Sequence, residues 1–78
     1  MHISDKMIHE GDVEWVGFPG VLGDFEVGQD HIPMVSLLAR GRVTIKLPTK
    51  SAETEYKRVL IEQGIVRFDG KELYAMVE

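Results

Sequence analysis

The chain is short, acidic and free of cysteine, and these properties exclude several classes of protein. Its 78 residues make one small domain, which we place over 1–78, and its formal net charge is −4. Without cysteine it has no disulfide framework, zinc–cysteine cluster or thiol nucleophile. Acidity argues against nucleic acid and anionic lipid as partners, and no apolar run approaches the ~20 residues of a membrane span. No secretory signal is visible, so a cytosolic setting is expected.

The N-terminal part of the chain predicts short strands. Apolar and polar residues alternate over 12–18, and the phase of this alternation changes after Trp15. Gly17 lies beside the change, which suggests a bulge or sharp twist there. Pro19-Gly20 predicts a type II turn, because proline restricts φ and glycine allows a positive φ.

The middle of the chain continues this pattern of short strands and turns. Gly23-Asp24 precedes a short alternating run, and Gly28-Gln29-Asp30 predicts a turn. The next apolar run, 31–38, contains Pro33, so its first half is predicted to be a loop or an edge. The clearest strand follows at 42–47, where alternate residues are apolar, and the polar residues after it predict a hairpin loop at 49–53.

The stretch 51–63 fits both a helix and a strand. It contains no glycine or proline, Ser51 could cap a helix, and Gly64 could end one. A strand would instead place Val59 and Ile61 on one face. Periodicity alone leaves both alternatives open.

The C-terminal residues predict a hairpin and complete an all-β pattern. Apolar runs at 65–68 and 71–77 flank Asp69-Gly70, the favoured pair for a type I′ turn. Alternate residues from Leu73 to Val77 share one face. The patterns together predict a fold of short antiparallel strands, either a sandwich of two sheets or a small barrel.

No combination of residues predicts catalysis or a cofactor. The serines lie outside any G-x-S-x-G motif, and no G-x-x-x-x-G-K-[ST] loop is present. Gly17, Gly20 and Gly23 are spaced by three residues, but a proline interrupts them and no helix is predicted to follow, so turns explain them better. We therefore predict no catalytic and no cofactor-binding residue, and a binding or structural role rather than an enzyme.

Histidines and acids likewise predict no metal site. His2, His9 and His31 lack the spacing of zinc ligands. The acids over 10–14 alternate along a predicted strand, whereas calcium needs more oxygen ligands held in a loop. Asp24, at an apparent loop tip, fits either a turn residue or a recognition contact.

An ordered series of short motifs carries a family resemblance. The motifs are Gly11-Asp12-Val13-Glu14-Trp15-Val16, Pro19-Gly20-Val21-Leu22-Gly23-Asp24-Phe25, His31-Ile32-Pro33, Ser36-Leu37-Leu38 and Gly41-Arg42-Val43. In this order and spacing the chain resembles the N-terminal β-sandwich of the epsilon subunit of F-type ATP synthase. The resemblance covers nearly the whole chain. It implies an all-β, two-sheet β-sandwich in which the ambiguous residues 56–61 form a strand.

The resemblance also implies a function and partners. The chain would be a non-catalytic subunit of the rotor's central stalk in a proton-translocating ATP synthase, peripheral on the cytoplasmic face of the inner (plasma) membrane. It would clamp the gamma subunit to the c-ring. The loop with Gly23, Asp24 and Phe25 would face the c-ring, and His31 and Pro33 would face gamma.

The sequence ends at Glu78, before the position of the family's C-terminal helical hairpin. That hairpin carries the family's ATP-sensing residues, so we expect no C-terminal helical domain, no ATP binding and no inhibition of hydrolysis through a hairpin. The alternative function is a stand-alone β-sandwich that binds a ligand or assists assembly. A pocket with convergent polar groups would favour the alternative, whereas an exposed apolar sheet face would favour the stalk subunit.

Overall fold

The computed structural model describes residues 1–48 and 55–78, which form strands, turns and links without any helix. The strands are β1 (His2–Asp5), β2 (His9–Asp12), β3 (Trp15–Gly20), β4 (Gly23–Gly28), β5 (Met34–Leu38), β6 (Gly41–Leu47), β7 (Glu55–Ile61), β8 (Gly64–Phe68) and β9 (Glu72–Val77). The predicted all-β class is confirmed.

The strands form one curled sheet whose two halves face each other. We call the half with the order β4-β3-β6-β7 sheet I and the half with the order β2-β1-β9-β8-β5 sheet II. They meet where β3 ends beside β5: Gly20 pairs with Leu38, and the Ala39 N–H donates to the Pro19 carbonyl at 2.7 Å. This is the predicted β-sandwich. The pairs are antiparallel except β1 with β9, which is parallel.

Alternate side chains of both sheets fill the layer between them. Sheet I contributes Val16, Phe18, Val27, Val43, Ile45 and Ile61; sheet II and the link residues contribute Ile3, Ile8, Val13, Leu38, Val66, Phe68, Leu73 and Ala75. Within the described ranges this layer contains no buried polar or charged residue. Because burying one large aliphatic or aromatic side chain stabilises by about 1.5–3 kcal/mol, the layer is the main source of stability.

The first predicted strand is divided between the two sheets. β2 belongs to sheet II and β3 to sheet I, and the chain crosses between them at 13–14. Val13 and Val16 are both buried although they are three residues apart, so the alternation of inward and outward side chains shifts by one residue in this link. Gly17 pairs in regular register with β4 and β6. The change of phase was therefore correctly predicted, but it occurs before Trp15 and not after it. Of the two alternatives given for Gly17, the bulge was wrong.

The turn predicted at Pro19-Gly20 lies two residues later. β3 continues through Gly20, and the turn consists of Val21 and Leu22. Gly23 then has φ +130°, a value that suits glycine. Pro19 is tolerated because it lies near the end of the strand, where its missing N–H removes little pairing. The prediction was wrong because Gly23, not Gly20, supplies the positive φ.

The following turn and loop are as predicted. β4 ends at Gly28, a turn follows at 29–30, and the His31 N–H donates to the Gly28 carbonyl at 3.1 Å. The residues up to Pro33 form no strand, and β5 begins at Met34. The proline therefore delays the strand, as the pattern indicated.

β6 confirms the clearest predicted strand, and β7 resolves the ambiguous one. β7 spans Glu55–Ile61 and pairs antiparallel with β6 along its length, so the strand alternative was correct. Ile61 is buried and Val59 packs against the core. The predicted loop at 49–53 and the cap at Ser51 lie outside the described residues.

The C-terminal hairpin forms as predicted, but its turn differs. The Asp69 N–H donates to the Glu72 carbonyl at 3.2 Å, so Gly70 and Lys71 are the central residues. Only Gly70 has a positive φ, +102°, whereas a type I′ turn needs positive φ at both central positions. The Asp69 carboxylate instead accepts hydrogen bonds from the N–H groups of Lys71 and Glu72 at 2.8 and 2.7 Å.

Adding one methyl group at Gly20 should destabilise the protein. A Cβ there would lie 2.6 Å from the Gly23 carbonyl oxygen and 2.8 Å from the Phe25 ring. We expect Gly20→Ala to lower the free energy of unfolding by about 1–3 kcal/mol, measured by urea denaturation. The matched control is Gly28→Ala, where the nearest atom is 4.0 Å away. Equal stability of the two variants would contradict the close packing at the sheet junction.

The Asp69 turn should make stability depend on pH in acid. The hydrogen bonds from the Glu72 and Lys71 N–H groups lower the pKa of Asp69 below its ordinary 3.8. A lowered carboxyl pKa stabilises the fold at higher pH, and this contribution is lost as the pH falls through the folded-state pKa. We expect Asp69→Ala to lower the melting temperature at about pH 7, and this difference from the unmodified protein should shrink in acid.

Asp69→Asn is the matched control, because its amide oxygen can still accept both hydrogen bonds but cannot titrate in this range. Its melting temperature, followed by circular dichroism, should stay above that of Asp69→Ala at every pH. Identical melting of the unmodified protein and Asp69→Ala near neutrality would show that the carboxylate does not stabilise the turn.

Candidate protein-interaction site

The residues predicted to face partners lie near opposite ends of β5. Asp24 is adjacent to Gly23, which pairs with Gly20 beside the C-terminal end of β5. His31 and Pro33 precede its N-terminal end. β5 has five residues, so at ~3.3 Å per residue the two groups are separated by roughly 15 Å. The two groups therefore lie at separate positions on the domain.

The hairpin that joins β3 to β4 presents the first of these surfaces. Its turn residues Val21 and Leu22 are exposed, Leu22 completely. Contrary to the prediction, Asp24 does not lie at the loop tip but in β4, where it pairs with Pro19 because the chain reverses earlier, at these two turn residues. It is exposed and has no ion-pair partner in the part of the chain that the structure describes. Phe25 belongs to the same predicted c-ring-facing segment as Asp24. It is half-buried, with its ring centroid 5.5 Å from that of Phe18, and it anchors the hairpin to the core.

The loop before β5 presents the second surface. The His31 ring lies edge-on to the core ring of Phe68, with centroids 6.3 Å apart and planes at 73°. Its Nδ1 is 2.7 Å from the Ile32 carbonyl oxygen, where the N–H tautomer donates a hydrogen bond. Ile32 and Pro33 are exposed. His31 thus orients the loop, while its neighbours provide the accessible surface.

An apolar patch on the outer side of sheet II was not assigned from the sequence. Leu37, Ile65 and Met76 lie side by side across β5, β8 and β9, and Val35 continues the row toward the loop before β5. Their exposed fractions run from 40 to 74%. We call these four residues the apolar face. The sequence signal for this patch is that these three strands carry apolar residues on both faces, which is typical of strands whose two faces are both covered.

A shallow groove of about 800 Å³ connects the β3–β4 turn with the apolar face. Its aliphatic wall includes Val21, and its polar rim includes Asp5 and Gln63. These polar groups already bind within the protein. The Asp5 carboxylate accepts from two backbone N–H groups at 2.8 Å, and the Gln63 amide donates to Glu78 at 2.6 Å. The groove therefore offers apolar contact and no convergent set of free polar groups.

A second depression of about 560 Å³ lies on the outer side of sheet I. Gly17 leaves a gap there beside Trp15, and Glu26 and Arg42 line the gap with opposite charges. Among the described residues no salt bridge joins these two charges. The depression, with its opposite charges, suits the alternative of a small-ligand module.

The histidines form no metal or nucleophile site in the described ranges. No group of three or more His, Asp or Glu residues there can hold a metal ion. His2 Nδ1 contacts the Glu72 carboxylate, which also accepts a hydrogen bond from Ser4 at 2.9 Å. This cluster ties β1 to β9. Burial, followed by the charges of Lys57 and His2, lowers the pKa of His9.

Comparison with known families agrees with this geometry. A family profile described as "ATP synthase, Delta/Epsilon chain, beta-sandwich domain" matches residues 3–78. The chain belongs to this family. The predicted resemblance is therefore confirmed, and so is the sandwich that it implied. The prediction that the chain is not an enzyme on its own agrees with its membership of this family, whose epsilon chain is a non-catalytic subunit.

Individual relatives within the curated proteins are named ATP synthase epsilon chain. An ATP synthase epsilon chain of a Nitratiruptor species is 36% identical over 74 residues, which are 95% of this chain and 54% of the relative. That of Sulfurimonas denitrificans is 35% identical over 72 residues, with 92% and 52% covered. That of Afipia carboxidovorans is 28% identical over 74 residues, with 95% and 51% covered. The chain spans about half the length of the curated relatives it matches.

Two neighbouring leucines in β5 provide a test of which side of sheet II is exposed to solvent. Leu37 is exposed on the apolar face, and Leu38 is buried in the core. We expect Leu38→Ala to lower the free energy of unfolding by about 2–5 kcal/mol. Leu37→Ala, the matched control, should change it by less than about 1 kcal/mol. Equal losses in urea denaturation would mean that the apolar face is covered within the folded chain.

Proposed function

We propose that the chain is a non-catalytic subunit of the central stalk of a proton-translocating F-type ATP synthase. It would clamp the gamma subunit to the c-ring, so that rotation of the ring reaches the catalytic sites. Membership of the ATP synthase delta/epsilon family supports a place in this complex. The observation that carries the clamping role is the apolar face of sheet II.

The apolar face has the properties of a surface that binds another protein. Exposed apolar patches of contiguous residues are unusual on monomeric proteins and mark interaction sites. Here Leu37, Ile65 and Met76 are adjacent across three strands. Arg67 lies beside them on β8, with its Cζ atom 4.7 Å from the centroid of the Tyr74 ring, and adds a polar border to the patch. An apolar centre with a polar border is typical of protein interfaces.

We assign this face and the loop before β5 to the gamma subunit. β5 joins them without a break, because the exposed Ile32 and Pro33 lead directly into Val35 and Leu37. His31 orients this loop through its contact with Phe68. The predicted gamma-facing residues would therefore be the edge of a larger apolar interface.

We assign the β3–β4 hairpin to the c-ring. Gly23 provides its turn and Asp24 an exposed carboxylate, whereas Phe25 would support the hairpin from the core. A basic side chain on a ring loop would complement Asp24. Such a border charge sets register and association rate more than affinity. The apolar face reaches Leu37, whose carbonyl accepts a hydrogen bond from the Val21 N–H of this hairpin, so the surfaces assigned to gamma and to the ring would adjoin near the C-terminal end of β5. Torque would then pass between them over a short path through the sandwich.

The remaining expectations follow from the same role. The chain would act as one domain over 1–78, bound peripherally on the cytoplasmic face of the membrane and without inserting into it. No helix of the described ranges is long and apolar enough to span a bilayer. We also expect no binding of ATP or nucleic acid, which equilibrium dialysis with the purified chain checks. Saturable ATP binding would contradict this part of the proposal.

Site-directed cross-linking can test both surfaces, because the chain has no native cysteine. In complexes assembled on membranes of the source organism, we expect Asp24→Cys to form an adduct with the c subunit and Leu37→Cys with gamma. Leu60→Cys, exposed on β7 of sheet I, is the control and should form neither. Recovery of the chain alone, from membranes with intact ATP synthase, would favour the stand-alone ligand-binding or assembly module.

A further inference from the structure

The tip of the β3–β4 hairpin carries aliphatic residues where turns usually carry polar ones. Glycine, asparagine, aspartate, serine and proline dominate such turns. Here the tip is Val21 and Leu22, which are 55% and 100% exposed. Leu22 contributes nothing to the core of this chain, and no described residue covers it. We call this pair the apolar tip.

The apolar tip is held in a defined position. Gly20 leaves no space for a side chain between the Gly23 carbonyl and the Phe25 ring. The Val21 N–H donates to the Leu37 carbonyl at 3.2 Å, which fastens the turn to sheet II. Little conformational freedom is therefore left to lose when the tip binds a partner.

The charge around the tip discriminates between possible occupants. Residues 20–26 include Asp24 and Glu26 and no basic residue. Arg42 of β6 lines the depression beside Glu26, on the outer side of sheet I, and not the tip. Both carboxylates are exposed, and in the described ranges neither forms an ion pair. An anionic lipid surface would repel them. A protein crevice with an apolar floor and a basic rim would accept the tip and complement the carboxylates.

We propose that the apolar tip is the principal anchor of this hairpin, with Leu22 inserted into an apolar crevice that basic side chains of a partner protein surround. The inference rests on the proposed function, in which the crevice lies between loops of the c-ring. It changes the role assigned to Asp24. Leu22 would contribute more to the affinity of this hairpin than Asp24, and Asp24 would guide association.

The test uses a complex of the catalytic subunits, gamma and the full chain, titrated onto membranes that contain the c-ring but have been stripped of these subunits. We expect Leu22→Ser to weaken binding about tenfold or more at both ~50 and ~500 mM salt, because apolar contact is lost. Asp24→Asn should slow association at low salt and have little effect at high salt. Leu60→Ser, which also removes an exposed leucine, is the matched control and should bind normally.

Each outcome decides the inference. Equal affinities of the unmodified chain and Leu22→Ser would overturn the anchor but leave the stalk role intact. Failure of the unmodified chain to join gamma would overturn the proposed function as well. Leu22-dependent binding to protein-free vesicles of anionic lipid would replace the crevice with a lipid surface. Because Leu22 is fully exposed, its substitution should leave the circular dichroism melting curve unchanged, which confirms a folded variant.

Discussion

The apolar layer between the two sheets determines the positions of the apolar face, the loop before β5 and the β3–β4 hairpin. In the described ranges it is built entirely from apolar side chains, and no buried charge or polar network defines the alignment of the strands. The strand junction at Gly20 and Leu38 closes this layer at one corner. There, tight packing between backbone and the Phe25 ring replaces the side chain that glycine lacks. Because a small domain has a thin core, a tightly packed junction of this kind matters to its stability.

Rigidity matters because the proposed role is mechanical. The same strand, β5, contributes its inward residue Leu38 to the core and its outward residue Leu37 to the apolar face. Force applied at that face would pass directly into the junction with β3, and from β3 into the hairpin that we assign to the c-ring. Short turns strengthen this path, since the Val21 N–H binds the Leu37 carbonyl. The arrangement needs no moving part within the domain.

Local sequence signals predicted strands well but turns less well. The alternation of apolar and polar residues correctly predicted β6. Pro33 correctly predicted that the first half of the run 31–38 is not a strand, since β5 begins only at Met34. By contrast, Pro19-Gly20 and Asp69-Gly70 both indicated turns whose central residues differ in the structure. In each hairpin, pairing with the neighbouring strand decides where the chain reverses, and the positive φ falls on Gly23 or Gly70. Residue preferences describe a turn in isolation, whereas register depends on the partner strand.

The sequence by itself determined the predominance of short strands and, through five ordered motifs, the family and the all-β sandwich that it implies. Periodicity alone left the stretch 51–63 open between helix and strand, because short apolar runs fit both periods, and only the family resemblance implied a strand over 56–61. Only the tertiary structure decided that β7 pairs with β6, that Phe25 points into the core, and that Leu37, Ile65 and Met76 form one patch. Those residues are far apart along the chain, and the pairing of strands across the sheet is a long-range property that local pattern does not contain.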